Sequence, residues 1–129
     1  MIERTNAPGL SRPPGYSHVV VASGSRLVST AGAVPLDEEG NLVGAGDLHA
    51  QARQTLENLA LALEAVGARE RDVIKITVYV VAGERADLGV AWGAVQQSGI
   101  AGAASTLLGV SMLAIEGQLV EIDAIAVLE

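Results

Sequence analysis

Ala103-Ala104-Ser105-Thr106-Leu107-Leu108-Gly109-Val110 and Leu119-Val120-Glu121-Ile122-Asp123-Ala124-Ile125-Ala126-Val127 decide how this chain is read. The first stretch is a strand with a polar pair, Ser105 and Thr106, at its start. The second alternates as a strand should, and because side chains two apart share a face, Glu121 and Asp123 stand on the same side of it. Two carboxylates on one side of an otherwise aliphatic strand are costly to bury, so that side needs water, partners or a function.

Upstream, Val73 to Val81 alternates in the same way. Ile74, Ile76, Val78 and Val80 point one way, and Lys75, Thr77 and Tyr79 point the other. The aliphatic side suits a layer of helices, which places Lys75, Thr77 and Tyr79 on the opposite face, where Glu121 and Asp123 are expected to join them. Two readings of that face stand open: Lys75 pairs with Glu121 or Asp123 as a structural ion pair, or the polar groups line a small-molecule site.

One long helix is expected. Asp47 is a good N-cap, Leu48, Ala52, Leu56, Leu59, Leu63 and Val66 recur at helical spacing, and Gly67 ends the run. Gln51, Arg53, Gln54, Glu57, Asn58 and Glu64 form its polar side. A weaker helix spans about Arg85 to Gln97, interrupted by Gly89 and Gly93 and anchored by Trp92.

Before the long helix, Thr5 to Gly15 is punctuated by Pro8, Pro13 and Pro14 and is expected to run extended on the surface. Two short strands, about His18 to Ala22 and Arg26 to Ala31, are expected to form a hairpin through Ser23-Gly24-Ser25. Val34 to Gly46 is a loop that turns at Asp37-Glu38-Glu39-Gly40-Asn41. The order is ββαβαββ, an α+β fold with both helices on one face of a sheet. The 129 residues form one domain. No sequence remains to cover the second sheet face, and half the residues are hydrophobic while only Tyr16, Tyr79 and Trp92 are aromatic. Another subunit is the economical cover.

Composition narrows function further. A net charge of −7 with no basic cluster argues against nucleic acid as a partner. There is no cysteine, hence no thiolate nucleophile or thiolate metal site. His18 and His49 lack metal-ligand spacing, and both read as ordinary surface or strand-start residues. Gly44-Ala45-Gly46, Ser23-Gly24-Ser25 and Gly99 to Gly102 are turns without a dinucleotide fingerprint, and no GxSxG elbow is present, so neither a cofactor nor a metal is expected. No apolar run approaches the roughly 20 residues of a membrane span, and the start lacks a secretory pattern. The expectation is a soluble cytoplasmic protein with no membrane partner.

Pro14-Gly15-Tyr16-Ser17, Ala31-Gly32, Gln51-Ala52-Arg53-Gln54-Thr55-Leu56-Glu57-Asn58-Leu59 and Glu121-Ile122-Asp123-Ala124-Ile125-Ala126 together resemble, in order and over nearly the whole chain, the Rid family, also called YjgF or L-PSP proteins. The resemblance implies a chorismate-mutase-like fold and a homotrimer with three intersubunit clefts. In the family's deaminating members an arginine grips the substrate carboxylate, a glutamate positions water, and a tyrosine and a Ser-Gly backbone line the cleft. They hydrolyse enamines or imines such as 2-aminoacrylate to a keto acid and ammonia. Carried over by position, the glutamate is Glu121, the tyrosine Tyr16 and the glycine Gly32. Ala31 replaces the serine and Ser105 replaces the arginine.

The implied site is therefore Glu121 as catalytic base, with Tyr16, Ala31, Gly32, Ser105 and Thr106 binding a small molecule. A hydroxyl cannot reproduce a bidentate guanidinium clamp, so imines bearing a carboxylate are poor candidates. Three functions follow for comparison: a hydrolase of other imines and enamines, a non-catalytic trimer that binds a metabolite or a protein, and a ribonuclease, which the acidic balance disfavours.

Overall fold

The computed structural model describes residues 1–129. The long helix forms where its cap and spacing place it: Asp47 Oδ1 accepts from the Ala50 amide at 3.0 Å and opens α1, Leu48–Glu64. Ala52, Leu59 and Leu63 project from α1 into the core, while Leu56 is half-buried and Val66, past the helix end, is 48% exposed. The second helix, α2, spans Arg85–Gln96 and buries Ala91, Ala94 and Val95.

Six strands accompany the helices: β1 Ile2–Thr5, β2 Val19–Ala22, β3 Arg26–Ser29, β4 Val73–Val81, β5 Ala104–Val110 and β6 Val120–Leu128. β3, β6, β4 and β5 form one sheet in that order; β5 runs parallel to β4, and β6 runs antiparallel to both its neighbours. A parallel pair needs a crossover, and α2 supplies it between β4 and β5. Ile76, Val78 and Val80 of β4 and Val120, Ile122, Ala124 and Ala126 of β6 are buried on the face that carries both helices. The expected ββαβαββ order and α+β class hold, with β1 added in front.

Three local expectations fail. β2 and β3 do not form a hairpin: β2 pairs antiparallel with β1 in a separate two-stranded sheet, and β3 pairs with β6. The segment between them carries the chain from one sheet to the other. The Ser23 amide donates to the Met1 carbonyl at 2.8 Å, the Ser25 amide donates to the Leu128 carbonyl at 2.9 Å, and Gly24 lies so close to Leu128 that a Cβ would collide with its carbonyl. In β4 a bulge between Val73 and Lys75 shifts the register, so that Val73 rather than Ile74 is fully buried.

Gln51, the third case, belongs to the interior and not to the solvent side of α1. It is fully buried; its Nε2 donates to the Gly44 and Gly117 carbonyls at 3.1 and 3.0 Å, and its Oε1 accepts from the Leu119 amide at 2.8 Å. One side chain thus ties the loop before α1 to the loop before β6. Asn58, two turns further along the same side of α1, donates to the Val34 and Leu36 carbonyls at 2.7 and 2.8 Å. Gln51→Leu keeps approximate volume but removes the partner of the Gly117 carbonyl and of the Leu119 amide, while the Gly44 carbonyl keeps the Asp47 amide, so a loss on the order of 1–3 kcal/mol is expected in urea unfolding. A loss below about 0.5 kcal/mol would mean that water replaces the amide.

Candidate functional site

The sheet face away from the helices carries the polar groups that alternation assigned to it. Thr77 stands opposite Asp123 and Tyr79 opposite Glu121 across the β4–β6 pair, and Thr106 stands beside Thr77 in the β4–β5 pair. The expected ion pair is absent: Lys75 Nζ bonds Thr106 Oγ1 at 2.7 Å, and neither carboxylate lies within salt-bridge range of it. Asp123 accepts instead from the Tyr79 hydroxyl at 3.2 Å. Partial burial, and then the Asp123 carboxylate, push the Tyr79 phenol above its usual value.

Glu121 is half-buried beside a bare stretch of backbone. Its Oε1 accepts from Gln118 Nε2 at 3.1 Å, while Gln118 is itself buried and bonded to the Val120 carbonyl at 3.0 Å. Its other oxygen lies against Gly32, where any Cβ would occupy the carboxylate's position. β3 ends at Ser29, and the chain rejoins β6 at the Ala33–Ile122 bridge, so Ala31 and Gly32 form a step out of the ladder. Their amides donate to no protein acceptor, whereas the Thr30 and Ala33 amides on either side bond to the Ala124 and Ile122 carbonyls at 3.0 and 2.7 Å. Glu121, Ala31 and Gly32 therefore present one fixed carboxylate beside two free N–H donors.

Tyr16 and Ser105 meet elsewhere. Pro14, Tyr16, Trp92, Ser105 and Leu107 line a recess of about 220 Å³ between the N-terminal segment, α2 and the edge strand β5. Trp92 Nε1 donates to the Pro14 carbonyl at 2.8 Å, which fastens the proline-rich segment to α2, and the Tyr16 and Trp92 rings meet edge to face with centroids 6.1 Å apart. The Ser105 hydroxyl donates to the Ala103 carbonyl at 2.9 Å. His18 takes a local role as well, its Nδ1 accepting from the Ala7 amide at 3.0 Å.

The two clusters lie on opposite sides of the sheet. Ser105 is registered with Ile76, whose side chain points to the helices, whereas Glu121 is registered with Tyr79 on the other face. Ser105 and Thr106, expected to act as a pair, are divided by the same alternation: Ser105 borders the recess and Thr106 contacts Lys75. Trp92 and Gln118 are the residues that sequence reasoning missed. Trp92 was visible only as a helix anchor, and nothing in the order of residues signals that the Gln118 amide turns back to Glu121.

The chain is thus a small α+β protein with a carboxylate and free amides on one sheet face and a hydroxyl and aromatic recess at the sheet edge. The endoribonuclease L-PSP family model matches residues 8–128. The crystal structure of YyfB, a conserved Rid-family protein from Yersinia pestis, superposes with a TM-score of 0.88 at 34% identity, covering 98% of each chain. Escherichia coli TdcF, solved with bound serine, gives a TM-score of 0.70 at 28% identity over 100% of this chain and 98% of that one. The chain belongs to the Rid family, also called YjgF or L-PSP.

Among curated relatives, the RutC family protein PH0854 of Pyrococcus horikoshii is 41% identical over 76 residues, 58% of this chain and 56% of the relative. A 2-iminobutanoate/2-iminopropanoate deaminase of Salmonella typhimurium is 44% identical over 54 residues, 42% of this chain and 41% of the relative. The chain spans about half the length of the curated relatives it matches. No helix is long and apolar enough to cross a membrane.

Proposed function

We propose that the protein is a homotrimer that binds small molecules in clefts between subunits and hydrolyses imines or enamines lacking a carboxylate. The observation that carries this reading is the division of the candidate residues into two half-sites on opposite faces of one sheet. Within one chain Glu121 cannot reach a ligand held by Tyr16 and Ser105. A neighbouring copy packed on the open face would bring its β5 edge, and with it that recess, to Glu121, Ala31 and Gly32. The open face also needs a cover, because Leu27 is 73% and Ile125 37% exposed on it.

In such a cleft Glu121 takes a proton from water as the oxygen adds to the C=N carbon, and the nitrogen is protonated. Return of the proton and cleavage of the C–N bond give a carbonyl compound and an amine, or ammonia from an unsubstituted imine. No redox partner is needed, and the atoms balance with one water consumed. Free amides at Ala31 and Gly32 are suited to hold the polar atom that develops charge. Thr106, on the Lys75 side, would meet the ligand only at the cleft's far rim. The names of the deaminase relatives agree with this chemistry, and the missing arginine restricts it.

A non-catalytic, metabolite-binding trimer is the alternative, and turnover separates the two. An RNA substrate fits poorly with a −7 chain whose open face carries Glu121 and Asp123. Light scattering at micromolar concentration is expected to give three times the chain mass of 13.2 kDa, and a monomeric mass would overturn the composite cleft.

A further inference from the structure

The recess at the β5 edge has a chemical bias of its own. No Lys, Arg or His is among its five lining residues, Pro14, Tyr16, Trp92, Ser105 and Leu107. Arg4 approaches β5 beside Gly102, but its guanidinium is turned to the Arg71 carbonyl, to which it donates at 3.0 Å. Lys75 lies on the other face with Thr106. Within one chain an anion entering the recess would therefore find no counter-charge among its lining residues.

What the recess offers instead is electron-rich. Trp92 Nε1 is already committed to the Pro14 carbonyl, so the indole contributes chiefly its π surface, and the Tyr16 ring stands at 75° to it to form a corner. Ser105 lines the recess and spends its proton on Ala103, which leaves its oxygen able only to accept. Such walls favour a cation, through ring quadrupoles and lone pairs, and a flat one, because a plane can stack on one ring while meeting the edge of the other. The volume of about 220 Å³ exceeds the 150 Å³ of an engineered cavity that accommodates benzene, so one six-membered ring with a short substituent fits.

We propose that the Tyr16–Trp92–Ser105 recess is the specificity subsite of the protein and takes a flat, ring-bearing cation of the iminium or amidinium class, with no carboxylate. The proposal rests on the composite-cleft reading for its catalytic consequence, since Glu121 of a neighbouring copy would then supply the counter-charge. Replacing the family's arginine by serine is, on this view, a reversal of the charge the site accepts.

Benzamidine and benzoate are suitable probes: they share a planar ring with a two-heteroatom substituent and differ in the sign of charge. Calorimetric titration of the assembled protein is expected to show benzamidine binding and benzoate bound at least about tenfold more weakly. Trp92→Leu should weaken benzamidine by roughly fivefold to thirtyfold. Should that variant fail to assemble, Ser105→Arg provides the second arm, in which benzamidine binding is lost and benzoate binding appears. Equal affinity of the wild-type protein for both probes, or benzamidine binding untouched by Ser105→Arg, overturns the proposal. Glu121→Gln separates it from the cleft reading: benzamidine that is sensitive to Trp92→Leu but indifferent to Glu121→Gln supports the recess and overturns the composite cleft.

Discussion

Glu121→Gln is expected to lower imine hydrolysis by about 100- to 10,000-fold while leaving the fold and its assembly intact. The substitution preserves the side-chain length and an acceptor oxygen for Gln118 Nε2, whose bond to Glu121 is 3.1 Å. It removes only the charge and the basic lone pair. No cation loses a partner, because Lys75 is bonded to Thr106 and not to Glu121. The stability change should therefore stay within about 1 kcal/mol, well short of the 3–5 kcal/mol that breaking a buried ion pair costs. Release of ammonia from a carboxylate-free, N-unsubstituted imine, followed beside the melting curve, checks both halves. A variant that melts far earlier yet keeps its turnover would make Glu121 a structural residue.

The second large effect is at position 105. Wild-type turnover of 2-iminopropanoate is expected to lie near background, and Ser105→Arg is expected to raise it. A charge-assisted Arg–carboxylate contact is worth about 1.5–3 kcal/mol, which corresponds to a gain of roughly tenfold to over a hundredfold. Ser105 borders an open recess, so a guanidinium can be accommodated there without displacing the helix-facing core. Coupled detection of ammonia on wild type and variant reads the difference. Wild-type turnover equal to that of an arginine-bearing relative would refute the role given to Ser105.

Periodicity carried most of the fold and part of the site. Alternation over Val73 to Val81 and Leu119 to Val127 put Lys75, Thr77, Tyr79, Glu121 and Asp123 on one face, where the strand registers place them. That signal is strong because a one-residue slip would bury two carboxylates and expose Ile122 and Ala124. Alternation says nothing, however, about which neighbour a polar group chooses. Lys75 reaches Thr106 rather than an acid, and Tyr79 takes Asp123, because β5 and β6 flank β4 on opposite sides.

Short elements were legible only when their partners were local. β1 is four residues of mixed polarity, and its pairing with β2 spans the proline-rich segment. Gln51 looked like a surface residue because it is polar and shares its side of α1 with Gln54 and Asn58. Its burial is set by two loops that close over it from 44 and 117–119, far apart in the chain.

The sequence by itself determined the α+β class, the two helices, the polar face of the sheet, the missing arginine and, through motifs in order along the chain, the family. Each of these depends on local spacing or on residue identity, which a linear chain displays directly. Only the tertiary structure decided that β2 and β3 part company, that Gly32 leaves room for the Glu121 carboxylate, and that Tyr16 and Ser105 face away from it. Those facts depend on strand order and on which side of a shared sheet each side chain leaves. Two residues can be fixed in phase along their own strands and still be separated by the full thickness of the sheet.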